Sequence, residues 1–106
     1  MFFTPKNIDE IEVKLFWEWF AYNESWIIDS INSHNDTVVI EQINEKLLPV
    51  FPYFKKKIKF IITFRNGQGK FFFCGQKNKY LNRDASILKA SMPYSLMTRW
   101  EFIIMP

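Results

Sequence analysis

The sequence predicts an α+β domain in which two N-terminal helices precede a β-hairpin, a third helix and a last strand. Three observations carry this reading. Residues 57–75 hold two runs rich in β-branched and aromatic residues on either side of Asn66-Gly67-Gln68-Gly69, and Asn-Gly is the strongest short turn signal because a type I′ turn needs positive φ at both central residues. Between Ile11 and Ile31, the residues Val13, Phe16, Phe20, Ile27 and Ile31 lie within about a quarter-turn of one another at the helical period. Near the C-terminal end, Trp100, Phe102 and Ile104 alternate with Glu101, Ile103 and Met105, which is the period of a strand.

Taken in order, residues 1–8 read as an irregular lead-in marked by Thr4-Pro5. Asp9, Glu10 and Glu12 then suit a helix start, where the dipole favours negative charge. Trp17 flanks the apolar stripe on one side and Trp19 and Trp26 on the other, and Asn23-Glu24 interrupts it, so the helix bends or restarts there. After the polar turn 32–36, Asp36 or Thr37 caps a second helix that runs through Val39, Ile40, Ile43, Leu47 and Leu48 and is stopped by Pro49.

In the hairpin, Phe71 and Phe73 must share a face with Ile58, Phe60, Ile62 and Phe64, which requires an even-numbered loop. A two-residue loop sets Phe60 opposite Phe73 and Ile62 opposite Phe71; a four-residue loop sets Phe64 opposite Phe71. Tyr80 to Ala90 reads as the third helix, with Tyr80, Leu81, Ile87 and Leu88 as its apolar contacts and Ser91-Met92-Pro93 as its stop. A right-handed crossover makes the last strand parallel to the second. Placed beside the first strand it is antiparallel to its neighbour, and the expected sheet is three-stranded, mainly antiparallel, in the order 2-1-3, packed by helices.

At 106 residues the chain makes one domain, 1–106, with aromatic side chains enough to build a modest core. Cys74 is its lone cysteine, which excludes an internal disulfide and a multi-thiolate metal site. No signal peptide and no membrane span is read, and the expected setting is reducing and cytoplasmic. The net charge of +3 hides an asymmetry: residues 1–48 carry three Lys against nine acids, and residues 49–106 carry eleven Lys and Arg against Asp84 and Glu101. Either an acidic helical half lies against a basic sheet half, or a basic surface awaits an anionic partner.

The run Trp17-Glu18-Trp19-Phe20 with Asn23-Glu24, and later Ile87-Leu88, Ser91-Met92-Pro93 and Trp100-Glu101-Phe102-Ile103, resembles a family of small uncharacterised bacterial α+β proteins. The resemblance implies an α+β fold over most of the chain. It implies no activity, because the shared residues are packing residues.

Little in the chain carries chemistry. His34 sits in a polar turn and has Asp29 and Asp36 as its near acids, too few for a metal site, and Cys74 reads as a buried, inert thiol amid phenylalanines. No phosphate loop, nucleophile elbow or zinc spacing occurs. We therefore expect no catalytic residue, cofactor or metal. The residues that share the second face of the sheet are a different matter: Lys59, Ile61, Thr63, Arg65, Lys70, Phe72, Arg99, Glu101 and Ile103 form an apolar centre with a charged rim, the composition of a protein interface; either the first helices cover this face and make it core, or it is left open for a partner or a second copy. The expected function is a non-enzymatic protein-interaction or regulatory module, of the kind that immunity proteins represent, with another protein or a second copy as partner. One alternative is nucleic-acid binding through the basic hairpin from Lys55 to Lys70. Another is an enzyme or ligand-binding protein that uses Glu18, with a raised pKa, among Trp17, Trp19, Tyr22 and Trp26.

Overall fold

In a computed structural model, which describes residues 7–106, the chain forms five α-helices and a three-stranded sheet. The lead-in expected around Thr4-Pro5 lies outside the described residues, apart from Asn7 and Ile8. The order is α1 (Glu10–Tyr22), α2 (Glu24–Asn32), α3 (Thr37–Leu47), a 3-10 turn (Leu48–Val50), β1 (Lys59–Arg65), β2 (Gln68–Cys74), α4 (Lys79–Ala90), α5 (Tyr94–Met97) and β3 (Trp100–Met105).

The start of α1 is fixed by Asp9, whose carboxylate accepts from the Ile11 and Glu12 amides at 3.1 Å each, satisfying two donors that the first turn leaves without partners. The expected interruption falls at Asn23. Its φ and ψ of −101° and 11° leave the helical region, and its side-chain amide donates to the Trp19 carbonyl, so regular helix stops there and the chain restarts as α2. Asp36 precedes α3 without making a side-chain cap, and Pro49 stops the regular helix at Leu47 and tightens the next turn. The α4 helix is capped by Asn78, and the four-residue α5 after Pro93 was not expected from the sequence.

The hairpin closes with the two-residue loop. Asn66 and Gly67 take φ of 52° and 74°, and Phe60 pairs with Phe73 and Ile62 with Phe71. The sheet order differs from expectation. It is β1-β2-β3, with β3 parallel to β2, so the sheet is mixed and β2 is central. Two features of β2 explain this. Its ring at Phe71 stacks between Phe60 of β1 (5.0 Å) and Phe102 of β3 (5.2 Å), an aromatic row that exists only when β2 is in the middle. Beside it, Gly69 pairs with Trp100, and a Cβ at Gly69 would stand 2.3 Å from the indole, so the absent side chain is the space in which Trp100 lies. Each large aromatic so buried contributes roughly 1.5–3 kcal/mol.

One face of the sheet carries Phe60, Ile62, Phe64, Phe71, Phe73, Trp100, Phe102 and Ile104, and the helices pack there. From α1, Val13, Phe16, Trp17 and Phe20 are all buried; Phe20 meets Trp100 edge-on at 5.0 Å and Trp17 meets Phe102 at 6.1 Å. The Trp17 indole N–H donates to the Leu88 carbonyl at 2.9 Å, fastening α1 to α4. The two motifs that stood far apart in sequence are thus packing partners.

Glu24 completes that junction. Its carboxylate accepts from Arg99 Nε (2.6 Å) and Nη2 (2.7 Å) and from the Trp100 indole N–H (2.8 Å), tying α2 to the start of β3. The Arg99 hydrogen bond, opposed by partial burial and helped by Trp100, holds the Glu24 carboxyl below its ordinary value. A carboxyl lowered in the folded state stabilises fully above its unfolded value of about 4.3, and the contribution is lost as the pH falls through the lower folded value. Glu24→Gln is therefore expected to lower the Tm at pH 7, with the gap to the wild type closing below about pH 4. A gap that stays constant to pH 3 in a thermal-unfolding series would show that charge is not what Glu24 supplies.

Candidate protein-interaction face

The alternation that buries one face of the sheet sends every second side chain the other way. On β1 these are Lys59, Ile61, Thr63 and Arg65; on β2, Gln68, Lys70, Phe72 and Cys74; on β3, Glu101, Ile103 and Met105. Among the described residues no element is laid across them: Lys59, Ile61, Arg65, Gln68, Lys70, Glu101 and Met105 are exposed, and Thr63, Phe72, Cys74 and Ile103 are half-buried by their neighbours alone. The register orders them into rows. Ile61, Phe72 and Ile103 lie side by side across all three strands, an apolar bar through the middle of the face. On one side of it runs the row Thr63, Lys70, Glu101, followed by Arg65 and Gln68; on the other runs Lys59, Cys74, Met105.

Ile61 is 58% exposed, an apolar side chain that the fold itself does not use. Towards the turn, Thr63, Arg65, Asn66, Gln68, Lys70 and Phe72 surround a shallow hollow of about 560 Å³. The rim is cationic: Lys59, Arg65 and Lys70 outnumber Glu101, and the exposed run Lys55-Lys56-Lys57 leads into β1.

Two placements differ from the sequence reading. Arg99 leaves the face: it precedes β3, and its guanidinium is held in a two-pronged grip by Glu24 on the helix side. Cys74 is half-buried on the open face, not sealed among the phenylalanines, because it points opposite to Phe71 and Phe73.

The first-helix residues do not converge. Trp17 is sealed in the core, Trp19 is half-buried, and Tyr22 and Trp26 stand out from the surface, so they form no cage. Glu18 is exposed beside two shallow hollows, one shared with Trp19 and Tyr22 and the other with Trp17 and Pro93. His34 occupies a left-handed turn position and is exposed, and no group of three metal-ligating side chains occurs among the described residues.

A charged centre that the sequence reading did not find lies beneath α4. Asp84 is 1% exposed. It accepts from the Tyr53 hydroxyl at 2.5 Å and from Arg83 Nε and Nη2 at 2.9 and 3.0 Å, so both carboxylate oxygens are satisfied. Burial, reinforced by the Asp84 hydrogen bond, pushes the Tyr53 phenol well above its ordinary value. The sequence did carry a signal: Asp84 falls on the same helical stripe as Leu81, Ala85 and Leu88, where a lone acid must find partners. With its lone pairs used internally, this centre holds the 51–54 segment against α4.

No helix among the described residues is long and apolar enough to cross a membrane. The chain matches no protein-family model, and no curated protein or solved structure matches it at a significant level.

Proposed function

We propose that this protein is a non-enzymatic interaction or regulatory module that docks a protein partner of acidic surface on the open face of its sheet. The single observation that supports the reading is the uncovered apolar bar of exposed Ile61 with half-buried Phe72 and Ile103, set inside a cationic rim on a sheet whose other face alone supplies the core. An apolar centre with a polar rim is how protein interfaces are composed, and a rim of one charge selects the partner and speeds encounter. Binding and neutralising a partner, as immunity proteins do, fits this surface. Membership among the small bacterial α+β proteins that its motifs resemble, and a cytoplasmic site of action, belong to the same proposal.

The same cations give the nucleic-acid reading its one support. Sequence-tolerant binding of single strands needs several aromatic platforms, whereas Phe72 is the one ring on this face and is half-buried. Glu18 and the tryptophans offer an enzyme no convergent set of polar groups.

The test uses Ile61→Asp combined with Lys70→Glu. Both positions are exposed, but Asp is disfavoured in a strand and a carboxylate at position 70 would face Glu101, so an unfolding curve of the double variant is run beside the binding assay to verify that it is folded. Wild-type bait is expected to retain one protein from source-cell extract at stoichiometric level, and the double variant to lose it. A partner held equally by both would remove the face from the proposal. Oligonucleotide binding that falls by orders of magnitude between low and moderate salt would favour the nucleic-acid reading instead.

A further inference from the structure

We propose that the partner binds as an added strand on the free edge of β1, through an extended acidic segment with carboxylates six residues apart opposite Lys59 and Arg65. This rests on the interaction reading above and specifies its geometry.

The backbone of β1 supplies the edge. A two-residue hairpin makes its closing pair, Arg65 and Gln68, a hydrogen-bonded pair, so Lys59, Ile61, Thr63 and Arg65 turn their amides and carbonyls to β2. The far side of β2 agrees with this, since Gly69 donates to the Arg99 carbonyl beside β3. The amides and carbonyls of Phe60, Ile62 and Phe64 therefore point away from the sheet. None of them has a hydrogen-bond partner among the described residues; the nearest tie is Asn44, whose side-chain amide donates to the Ile58 carbonyl just before the strand. Such a row is a template for another strand unless the fold covers it. On the core side of the same edge, Phe60 and Phe64 remain half-buried, and a further strand would cover what they still expose.

Charge decides which strand. Lys59 and Arg65 stand at either end of β1 on the open face, Lys55-Lys56-Lys57 precedes it, and residues 49–83 contain no acid. A second copy is a poor occupant: antiparallel self-pairing centred on Ile62 sets each Lys59 opposite an Arg65, and like charges directly opposite are destabilising. An acidic segment turns both repulsions into cross-strand pairs, with Ile61 and Thr63 meeting apolar residues between them. Helices pack against both outer strands, α2 against β1 and α4 and α5 against β3, so charge makes the choice: Glu101 lies on β3, whereas β1 carries Lys59 and Arg65 and no acid.

The probe is the blocked peptide Glu-Thr-Val-Ile-Val-Thr-Glu at millimolar concentration, with Lys in place of both Glu as control, added to the full chain labelled with nitrogen-15. In the free protein, the Phe60, Ile62 and Phe64 amides are expected to exchange with solvent faster than those of Ile61 and Thr63. The acidic peptide should slow their exchange at least tenfold and the Lys peptide should not. The double variant Lys59→Glu with Arg65→Glu should reverse the preference. Exposed sites make that variant fold, and its spectrum verifies that it does.

Resonances of Ile61, Phe72 and Ile103 that shift while exchange at Phe60, Ile62 and Phe64 stays unchanged would place the segment on the face. That result overturns the added strand and keeps the interaction reading. Equal response to both peptides, or to neither, overturns the strand proposal and leaves the extract experiment to judge the face. Protection that grows with protein concentration alone would assign the edge to a second copy and likewise overturn it.

Discussion

Gly69→Ala is expected to destabilise the protein by about 2–3 kcal/mol, the upper part of the range for overpacking a core, and to lower the Tm by roughly 10 °C. The new Cβ would stand 2.3, 2.4 and 2.6 Å from three atoms of the Trp100 ring. The ring has little room to withdraw. Phe20 meets it edge-on at 5.0 Å, Phe64 lies at 5.6 Å, and its N–H is held by Glu24. Backbone adjustment is equally restricted, because β2 is bonded on both sides. A double-mutant cycle isolates the cause: with Trp100→Leu in place, adding Gly69→Ala should cost far less than it does alone. Additive costs in urea unfolding would show that the glycine is needed for some reason other than the ring above it.

Asp84→Ala is the second large effect, about 2–3 kcal/mol, the scale of hydrogen bonds to a charged group together with a buried donor left unpaired. The removed carboxylate is buried, and the Tyr53 hydroxyl it accepted from would face the gap. Arg83 is about half exposed and recovers its hydration, which keeps the loss below that of a fully buried ion pair. The phenol provides an independent readout. A phenol raised in the folded state stabilises fully below its unfolded value of about 10, and that contribution is lost as the pH climbs through the folded value. The variant should therefore ionise Tyr53 at lower pH than the wild type in an ultraviolet titration, while burial, the larger cause, keeps it above an exposed tyrosine. An unchanged alkaline titration together with an unchanged Tm would mean that the Asp84–Tyr53 contact is idle.

Much of the fold was legible because local chemistry and global packing agree. Asn66-Gly67 marks the turn, and the period-two alternation of Phe71 and Phe73 narrows the register to an even loop of two or four residues, of which the chain takes two. Asn23 announced the helix break. Strand order was not legible, because period-two patterning says which face a residue takes and not which neighbour it has. The informative residue was Gly69: beside a Phe-rich run, a missing side chain marks a place where something large from another strand comes to rest. Strand parity says which residues share the second face but not whether a helix covers it; Arg99 has that parity, yet its long side chain reaches round to Glu24. Asp84 shows in the sequence only through its place on the stripe of Leu81, Ala85 and Leu88, and nothing local to it points to Tyr53, 31 residues away.

The Trp17–Leu88 hydrogen bond has a consequence for how the chain is made. Its ends are 71 residues apart, and Glu24 and Trp100 are 76 apart. A core built on such distant pairs cannot form while the C-terminal strand is still inside the ribosome. The hairpin, whose contacts are local, is suited to early assembly, and Phe71 and Phe73 then lack the cover of Phe102 until β3 emerges. Emergence of β3, and not the nucleation of any one helix, closes the domain, so a chain cut before Trp100 should be collapsed and aggregation-prone and not a smaller native fold.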